Sequence, residues 1–370
     1  MMFQEGGPPI PEEGRQEVEL GERQKVMETI YADMQEVGVF PARLIQGGKV
    51  IDLVIEENTG ASPGRPFMIF EVAHPDPEIR YLIYKVRIEE DPDQGAKNET
   101  IFLERLAPWL MERMPPELAA KIRLPTLRAS RQEGNNPFCL EEYLEGRIAG
   151  GIHDTNIEVL DTEDIDKIAE FIHFFQDNLS TDQVRSLAPE MNLPPMSIVE
   201  RYSRYLTAAA EGVKAALGND FYERVLSLLE EKREFLEQAR LVFAAGDINP
   251  SNIIKTKDGQ LGLVDWERVR LINSPVLDYD FMFVDLWNAP ELQRRFFEHI
   301  LELNQDDPDF RERMRLDFLF FRGTGELNYW WDQLEAAQTE EEKQTASKAV
   351  AIYSRMLQDA VEKRDFWATS

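Results

Sequence analysis

Residues Leu241–Leu271 read LVFAAGDINPSNIIKTKDGQLGLVDWERVRL, and this stretch decides the fold because it interrupts a half of the chain that is otherwise helical in pattern. Its centre, IIKTKDGQLGLV, carries two apolar runs around Asp258-Gly259, a dipeptide typical of tight hairpin turns. We therefore predict a short β-hairpin within this stretch, with loops before and after it.

Three polar side chains flank the predicted hairpin. Asp247 and Asn252 precede it and Asp265 follows it, so the loops can bring all three to one place. One carboxylate can orient a hydroxyl group, while an amide and a second carboxylate can hold Mg²⁺, a combination typical of phosphoryl transfer. The D-x-x-x-x-N spacing alone is weak evidence, since Asp and Asn also serve in turns. The surrounding sequence decides between the two interpretations.

The string GDINPSN, followed by a hairpin and then LVDWE, resembles the catalytic and metal-binding segments of the aminoglycoside phosphotransferase and choline kinase families, which share the protein kinase-like fold. The resemblance implies that Asp247 is the catalytic base and that Asn252 and Asp265 are the Mg²⁺ ligands. It also makes Asp265-Trp266-Glu267 the counterpart of the protein kinase Asp-Phe-Gly segment.

The next segment, SPVLDYD, resembles the short D-P-x-x-D segment of these families, with Asp278 in the place of the acid that braces the catalytic loop. One position departs from the pattern. The families usually have His before the Gly-Asp pair, and this chain has Ala245. Because that His is generally a scaffold residue, the change bears on local rigidity more than on chemistry.

The resemblance covers roughly Pro41–Trp287. It implies an α+β, bilobal protein kinase-like fold, with a small antiparallel β lobe that contains one helix and a larger, mainly helical C-terminal lobe. We accordingly predict a mobile leader plus an N-terminal helix over residues 1–37, a nucleotide-binding lobe over 38–145, and a catalytic and substrate lobe over 146–370.

Hydrophobic periodicity predicts the elements of each lobe. In the first lobe we predict an antiparallel meander of three strands at Val50–Glu56, Phe67–Ala73 and Tyr81–Ile88. A helix at Lys97–Met114 and a further strand at Phe138–Leu144 follow. The second lobe receives helices at Thr162–Asn178, Ser197–Leu217, Phe221–Ala239, Ala289–Leu303, Arg311–Leu334 and Glu340–Trp367.

A kinase needs a cation on its third strand, fixed by a Glu on the following helix. Lys85 in YLIYKVRI is the candidate, with Arg87 on the same face as a rival. Glu99 shares a helical stripe with Phe102, Leu103 and Leu106, so it faces the core and needs a partner there. We predict that Lys85 is this partner.

Two further nucleotide contacts follow from the resemblance. The loop Asn58–Pro66 lies where kinase-like folds place a flap over the triphosphate, and Ser62 would supply a hydroxyl group there. Gly and Pro are also expected in a strand connection without any ligand. The segment PFCLEEYLEGR resembles the linker between lobes, which implies that the backbone of Glu142 and Leu144 hydrogen-bonds adenine.

The sequence says less about the substrate that accepts the phosphoryl group. Only a short stretch separates Asp265 from Asp278, without a long activation segment for a peptide, which favours a small hydroxylated substrate. In these families the C-terminal helices build the acceptor pocket, and its candidate lining residues in this chain are Glu267, Asp280, Asp285, Glu326, Trp330 and Trp331. The two tryptophans also fit ordinary packing, although a cation–π box for an amino alcohol is an alternative.

Composition narrows the class of protein. The chain of 370 residues has 41 Lys and Arg against 69 Asp and Glu, a net charge of −28, which disfavours nucleic acid and tilts the expected acceptor towards cations. Its single cysteine, Cys139, is part of no Cys/His cluster with zinc-site spacing. We predict a cytoplasmic protein without a membrane partner, since neither a signal segment nor a long apolar run is evident.

We therefore predict an ATP- and Mg²⁺-dependent phosphotransferase that acts on a hydroxyl group of a small molecule such as an aminoglycoside, an amino alcohol or a sugar. Two alternatives stay open: a nucleotide-binding pseudokinase or regulatory scaffold, and a protein kinase that acts on a polypeptide. The sequence does not distinguish ATP from GTP, and it leaves the oligomeric state unknown.

Overall fold

The computed structural model describes residues 28–39, 41–45, 67–72, 81–86, 95–131, 138–150, 157, 159–191 and 193–366. Packing divides the chain into two compact units. The first takes its residues from 1–90 and 126–143, and the second from 91–125 and 144–370. The predicted leader, the predicted strand Val50–Glu56 and the loop with Ser62 lie outside the described residues.

The strands are short and belong to three sheets of the described chain. Their bounds are β1 Pro41–Ile45, β2 Phe67–Val72, β3 Tyr81–Val86, β4 Ile122–Arg123, β5 Leu127–Arg131, β6 Phe138–Glu142, β7 Gly146–Ile148, β8 Val242–Ala244, β9 Ile253–Thr256, β10 Leu261–Leu263 and β11 Arg270–Ile272. The first unit has the antiparallel order β1-β2-β3-β6-β5, and the second has β4-β10-β9-β7 and the pair β11-β8.

Helices dominate the second unit. The described part of the first unit has a helix, α1, over residues 28–36. The others are α2 Gly95–Ile101, α3 Ala107–Arg113, α4 Pro116–Ala119, α5 Thr162–Asn178, α6 Thr181–Leu187, α7 Ile198–Ala208, α8 Ala210–Leu217, α9 Asn219–Glu231, α10 Arg233–Glu237, α11 Leu277–Asp285, α12 Pro290–Leu303, α13 Phe310–Asp317, α14 Gly323–Ala336 and α15 Glu340–Val361. In the described chain, no helix combines the length and the apolar character needed to cross a membrane.

In the first unit α1 packs on the sheet. Ile30 and Met34 lie in one buried cluster with Tyr84 and Phe138, whose rings stack at 5.0 Å. Asp33 anchors the helix, because the Tyr84 hydroxyl group donates a hydrogen bond of 2.7 Å to its carboxylate. The antiparallel pairing of β2 with β3 confirms that part of the predicted meander.

The predicted helix Lys97–Met114 is present with an irregularity. A π turn at Phe102–Leu106 joins α2 to α3, two residues before Pro108. Proline has no N–H and crowds the preceding helical turn, which accounts for the widened turn. This helical segment packs within the second unit, where Phe102 stacks on Trp266 at 4.3 Å.

The second unit confirms the predicted hairpin and most predicted helices. Strands β9 and β10 pair antiparallel, and Gly259 of the connecting turn has φ +85°. Helix α5 has the predicted bounds. The sequence missed α11, because SPVLDYD carries turn signals and nearly all of this helix is buried, so it has no amphipathic period.

Candidate active site

The site begins where β8 ends. Gly246 has φ +80°, and a Cβ atom at this position would lie 2.4 Å from the Arg268 carbonyl oxygen, so only glycine fits. This tight turn delivers Asp247, whose side chain keeps 14% of its surface exposed. The carboxylate is therefore enclosed and yet reachable from solvent.

Asn249 positions the Asp247 carboxylate, a role that the sequence interpretation missed. Its amide nitrogen donates hydrogen bonds to the Asp247 carboxylate at 2.9 Å and to the Asp247 carbonyl at 3.1 Å. Its amide oxygen accepts from the Ser251 backbone N–H at 2.9 Å, which caps a 3₁₀ turn over Pro250–Asn252. The Asn-Pro dipeptide was the available signal, since it marks turn initiation.

Asn252 ties the two halves of the site together. Its side-chain nitrogen donates to the Asp247 carbonyl oxygen at 3.0 Å, and its own carbonyl oxygen accepts from the Val264 N–H at 3.0 Å. Val264 directly precedes Asp265. The Asn252 amide is thereby held with its nitrogen engaged by protein, which leaves the oxygen as its ligand atom.

Asp265 sits in a strained conformation. Its φ of +66° is in the left-handed region, which costs a non-glycine residue energy and recurs at functional sites. Asp265 lines a small cavity of about 10 Å³ together with Asp247 and Asn252. The structure thus brings together all three residues that the sequence singled out.

A divalent cation fits this set. Mg²⁺ is held in phosphoryl-transfer sites by one or two protein oxygen ligands, with substrate phosphates and water completing its octahedron. The Asn252 amide oxygen and the Asp265 carboxylate match that requirement. Within the described residues, no cluster of three or more acidic, His or Cys side chains forms a separate metal cage.

Asp278 braces the turn before Asp247. Its two carboxylate oxygens accept hydrogen bonds from the backbone N–H groups of Ala245 at 3.1 Å and Gly246 at 2.7 Å. Burial raises the pKa of Asp278, and those two N–H groups act in the opposite direction. Gln176 from α5 completes the shell at 3.5 Å.

Glu99 is fully buried, as its stripe predicted. One carboxylate oxygen accepts from the Trp266 backbone N–H at 3.2 Å, so Glu99 fixes the segment directly after Asp265. Lys85 forms an ion pair of 2.7 Å with Glu141 on the neighbouring strand β6. Lys85 and Glu99 belong to different units, and their pairing stays a prediction.

The predicted adenine contacts are only partly described. The Glu142 N–H donates to the Thr126 carbonyl at 2.9 Å, so that N–H is already paired. Leu144 is buried and belongs to the second unit, where it begins the segment 144–370. The roles of Ser62, Glu142 and Leu144 towards a nucleotide stay predictions.

The predicted acceptor residues are dispersed. Asp280 is fully buried, because the core encloses α11. Burial, with the nearby charge of Asp317, raises the pKa of Asp280 well above its usual range. Asp285 and Glu326 are bound by Arg322 at 3.0 Å each.

Trp330 and Trp331 lie on α14, and Glu267 follows Trp266 in the segment after Asp265. Trp330 packs edge-on against Trp287 at 5.6 Å, as in ordinary core packing, and it borders a cavity of about 440 Å³ between α14 and α15. Trp331 and Glu267 are half-buried. The large cavity contains none of the residues around Asp247, so size alone does not locate the chemistry.

Comparison with known proteins adds independent findings. The sequence model described as the phosphotransferase enzyme family (APH) matches residues 74–316. No curated protein matches the chain in sequence.

Among solved structures, a mutant of aminoglycoside 2′-phosphotransferase-IIIa with GDP is 14% identical, covers 92% of this chain and 98% of its own, and has a TM-score of 0.53. An APH(2″) enzyme with GDP and kanamycin is 14% identical, with coverage of 84% and 95% and a TM-score of 0.51. A macrolide 2′-phosphotransferase from Brachybacterium faecium, without ligands, is 13% identical, with coverage of 87% and 98% and a TM-score of 0.51. At these sequence identities, the structural similarity shows the shared fold alone.

Proposed function

This chain belongs to the phosphotransferase enzyme family, and from that premise we propose that it transfers the γ-phosphoryl group of ATP, with Mg²⁺, to a hydroxyl group of a small molecule. Asp247 accepts or orients the proton of the acceptor hydroxyl group. Asn252 and Asp265 hold Mg²⁺, which when bound neutralises charge on the phosphate oxygens. Lys85 supplies a further cation to the phosphates.

One observation carries the proposal: Asn252 is hydrogen-bonded to the Asp247 carbonyl and to the Val264 N–H, so the base and the metal ligands form one unit. Because phosphoryl transfer depends mainly on positioning and electrostatics, this rigidity is what the reaction requires. Asn249 and Asp278 hold the loop from either side. A binding scaffold has no need for this arrangement.

The acceptor is a small molecule rather than a polypeptide. Strand β11 and helix α11 occupy the stretch from Arg270 to Asp285, so little chain remains between Asp265 and Asp278 to hold a peptide. Solved structures of similar fold include enzymes named for aminoglycosides and macrolides, two of them with GDP bound. The activity assay below therefore uses GTP as well as ATP as the phosphoryl donor.

The test is an ADP- or GDP-release assay with Mg²⁺ over aminoglycosides, macrolides, amino alcohols, sugars and hydroxy acids. We expect turnover with at least one class, abolished in Asp247→Ala, while nucleotide binding by calorimetry persists. Asp258→Asn, on the exposed hairpin turn, is the matched control and should retain activity. Full activity of Asp247→Ala would overturn the proposal, and transfer only to protein would favour the polypeptide kinase.

A further inference from the structure

An arginine cluster, defined here as Arg201, Arg268 and Arg270, lies against the turn that carries Asp247. The Arg268 Nε is 3.5 Å from the Asp247 carboxylate. The Arg270 Nε donates to the Arg268 carbonyl at 2.8 Å and would lie 2.9 Å from a Cβ atom on Gly246. Arg268 therefore lies next to the proposed catalytic base, and Arg270 lies next to the turn that carries it.

Arg201 reaches the same region from α7. Arg201 is only 4% exposed. Its Nε atom is buried and has no hydrogen-bond partner in the described chain. Its Nη1 contacts the Met196 sulfur at 3.7 Å, a weak acceptor. Met196 in turn forms a bridge to Ile272 of β11, the strand that begins with Arg270.

These positive charges are incompletely compensated. Across the described chain, Arg268 has the Asp247 contact, and neither Arg201 nor Arg270 has a carboxylate within 4.0 Å. Burial, followed by the charges of Arg201 and Arg268, lowers the pKa of Arg270 to about 10. A buried guanidinium without an anion is costly, so this arrangement indicates a missing partner.

The nearby acids are already engaged. Asp278 uses both oxygens on the backbone N–H groups of Ala245 and Gly246. Asp317 accepts from the hydroxyl groups of Tyr202 at 2.5 Å and Ser274 at 3.1 Å. Neither acid supplies the planar, two-point contact that a guanidinium group prefers.

An aromatic side chain adjoins the cluster. Tyr205 lies over Arg201, with 5.3 Å from its ring centroid to the guanidinium carbon, and it packs edge-on against Phe321 at 4.4 Å. Its exposed fraction of 42% is unusual for a large apolar residue in the described chain. The Arg201 guanidinium carbon also lies 4.4 Å from the Phe321 ring centroid, so two aromatic rings face this cation.

We propose that the arginine cluster binds an anionic oxygen group, a carboxylate or a phosphate, on the acceptor, and so presents the acceptor's hydroxyl group to Asp247. The inference rests on the proposed function and names its substrate class. It also reverses the sign expected from the net charge of −28, because the charges beside the reacting atoms outweigh distant surface acids.

The first test uses matched acceptors in the ADP-release assay: glycerate against glycerol, and glucose 6-phosphate against glucose. We expect kcat/KM to be at least about tenfold higher for the anionic member of a pair, the size of one charge-assisted contact. Arg268→Gln should raise KM for that member by about tenfold and leave KM for ATP unchanged. Arg204→Gln, an exposed arginine on the same helix as Arg201, should match the unmodified protein.

A second test needs no turnover. The melting temperature is measured with sodium phosphate or malate against sodium chloride at equal ionic strength. We expect these anions to stabilise the unmodified protein and Arg204→Gln, and to stabilise Arg268→Gln and Arg201→Lys much less. Equal gains in all four proteins, or no gain in any, would overturn the inference.

The two proposals fail separately. Anion binding that depends on Arg268, with no ATP turnover in any mixture, contradicts the proposed function and supports the anion site. Turnover of neutral or cationic acceptors that is insensitive to Arg268→Gln supports the phosphotransferase and contradicts the anion site. An acceptor preference for carboxylate over phosphate, or the reverse, identifies the group that the cluster binds.

Discussion

Two groups of carboxylates in the second unit have similar composition and different chemistry. In the proposed catalytic segment, Asp247 and Asp265 stand on loops and line a cavity. In the buried acidic cluster, defined as Asp280, Asp285, Asp317 and Glu326, the acids lie on or beside α11 and are at most 7% exposed. Exposure, not residue type, decides which group can meet a substrate.

The two groups also avoid repulsion in different ways. Hydrogen bonds from Asn249 and the contact with Arg268 hold the Asp247 carboxylate in place. In the buried acidic cluster, Arg322 binds Asp285 and Glu326, and burial together with the charge of Asp317 raises the pKa of Asp280, which favours its neutral form. The first arrangement leaves the Asp247 carboxylate partly accessible, and the second encloses its acids in the core.

The largest expected effect separates the two groups by activity. Asp247→Asn keeps the shape of the side chain and removes its basicity, so we expect kcat to fall by about 10²–10⁴-fold. Unfolding in urea should change by less than about 1 kcal/mol. Asp280→Asn is the matched control, with full turnover expected. Equal losses in both variants would mean that the comparison is wrong.

The next effect concerns stability. Arg322→Met leaves Asp285 and Glu326 without their shared cation in a buried place, so we expect a loss of about 3–5 kcal/mol in the free energy of unfolding. Arg311→Gln removes an exposed ion pair with Asp365 and should cost at most about 1 kcal/mol. Denaturant unfolding of both variants measures the difference. Similar losses in the free energy of unfolding would show that water reaches the buried acidic cluster.

Ala245→His restores the residue that is usual before the Gly-Asp pair. Ala245 is 3% exposed, and the adjoining cavity of about 10 Å³ is too small for an imidazole ring. Overpacking should therefore cost about 1–3 kcal/mol and displace the turn that holds Asp247. Thermal unfolding tests this against Ala208→His on the exposed face of α7. A stabilised, more active variant would show that the turn has room for the ring.

The smallest effect is a pH dependence. Burial raises the folded-state pKa of Asp280, so the folded protein holds a proton that the unfolded chain releases above about pH 4. Stability from this group is complete below that pH and falls as pH rises towards the folded-state pKa, by up to about 1.4 kcal/mol per unit. Asp280→Asn has no such proton, and its amide can still donate to Asp317.

Urea unfolding of both proteins at successive pH values measures this effect. The stability of Asp280→Asn relative to the unmodified protein should increase as pH rises. A constant difference across the series would show that Asp280 is ionised in the folded state.

Local sequence was enough to predict the hairpin and the convergence of Asp247, Asn252 and Asp265. The spacing of Asp247 and Asn252 and the Asp258-Gly259 turn act over a few residues, so their geometry follows from nearby backbone bonds. The buried helix α11 was not predictable in this way, because its polar and apolar residues share one environment. Its burial also encloses Asp280, whose predicted role at the acceptor stays a prediction.

The sequence by itself determined the α+β kinase-like fold, the family, and the three residues that converge on the candidate active site. Only the tertiary structure decided which acids are neutralised in the core and which cations surround Asp247. Arg201 lies near Arg270 because Met196, just before α7, contacts Arg201 and forms a bridge to Ile272 of β11, far away in the chain. Charge and pKa depend on burial and on such distant neighbours, and a linear pattern of residues does not contain that information.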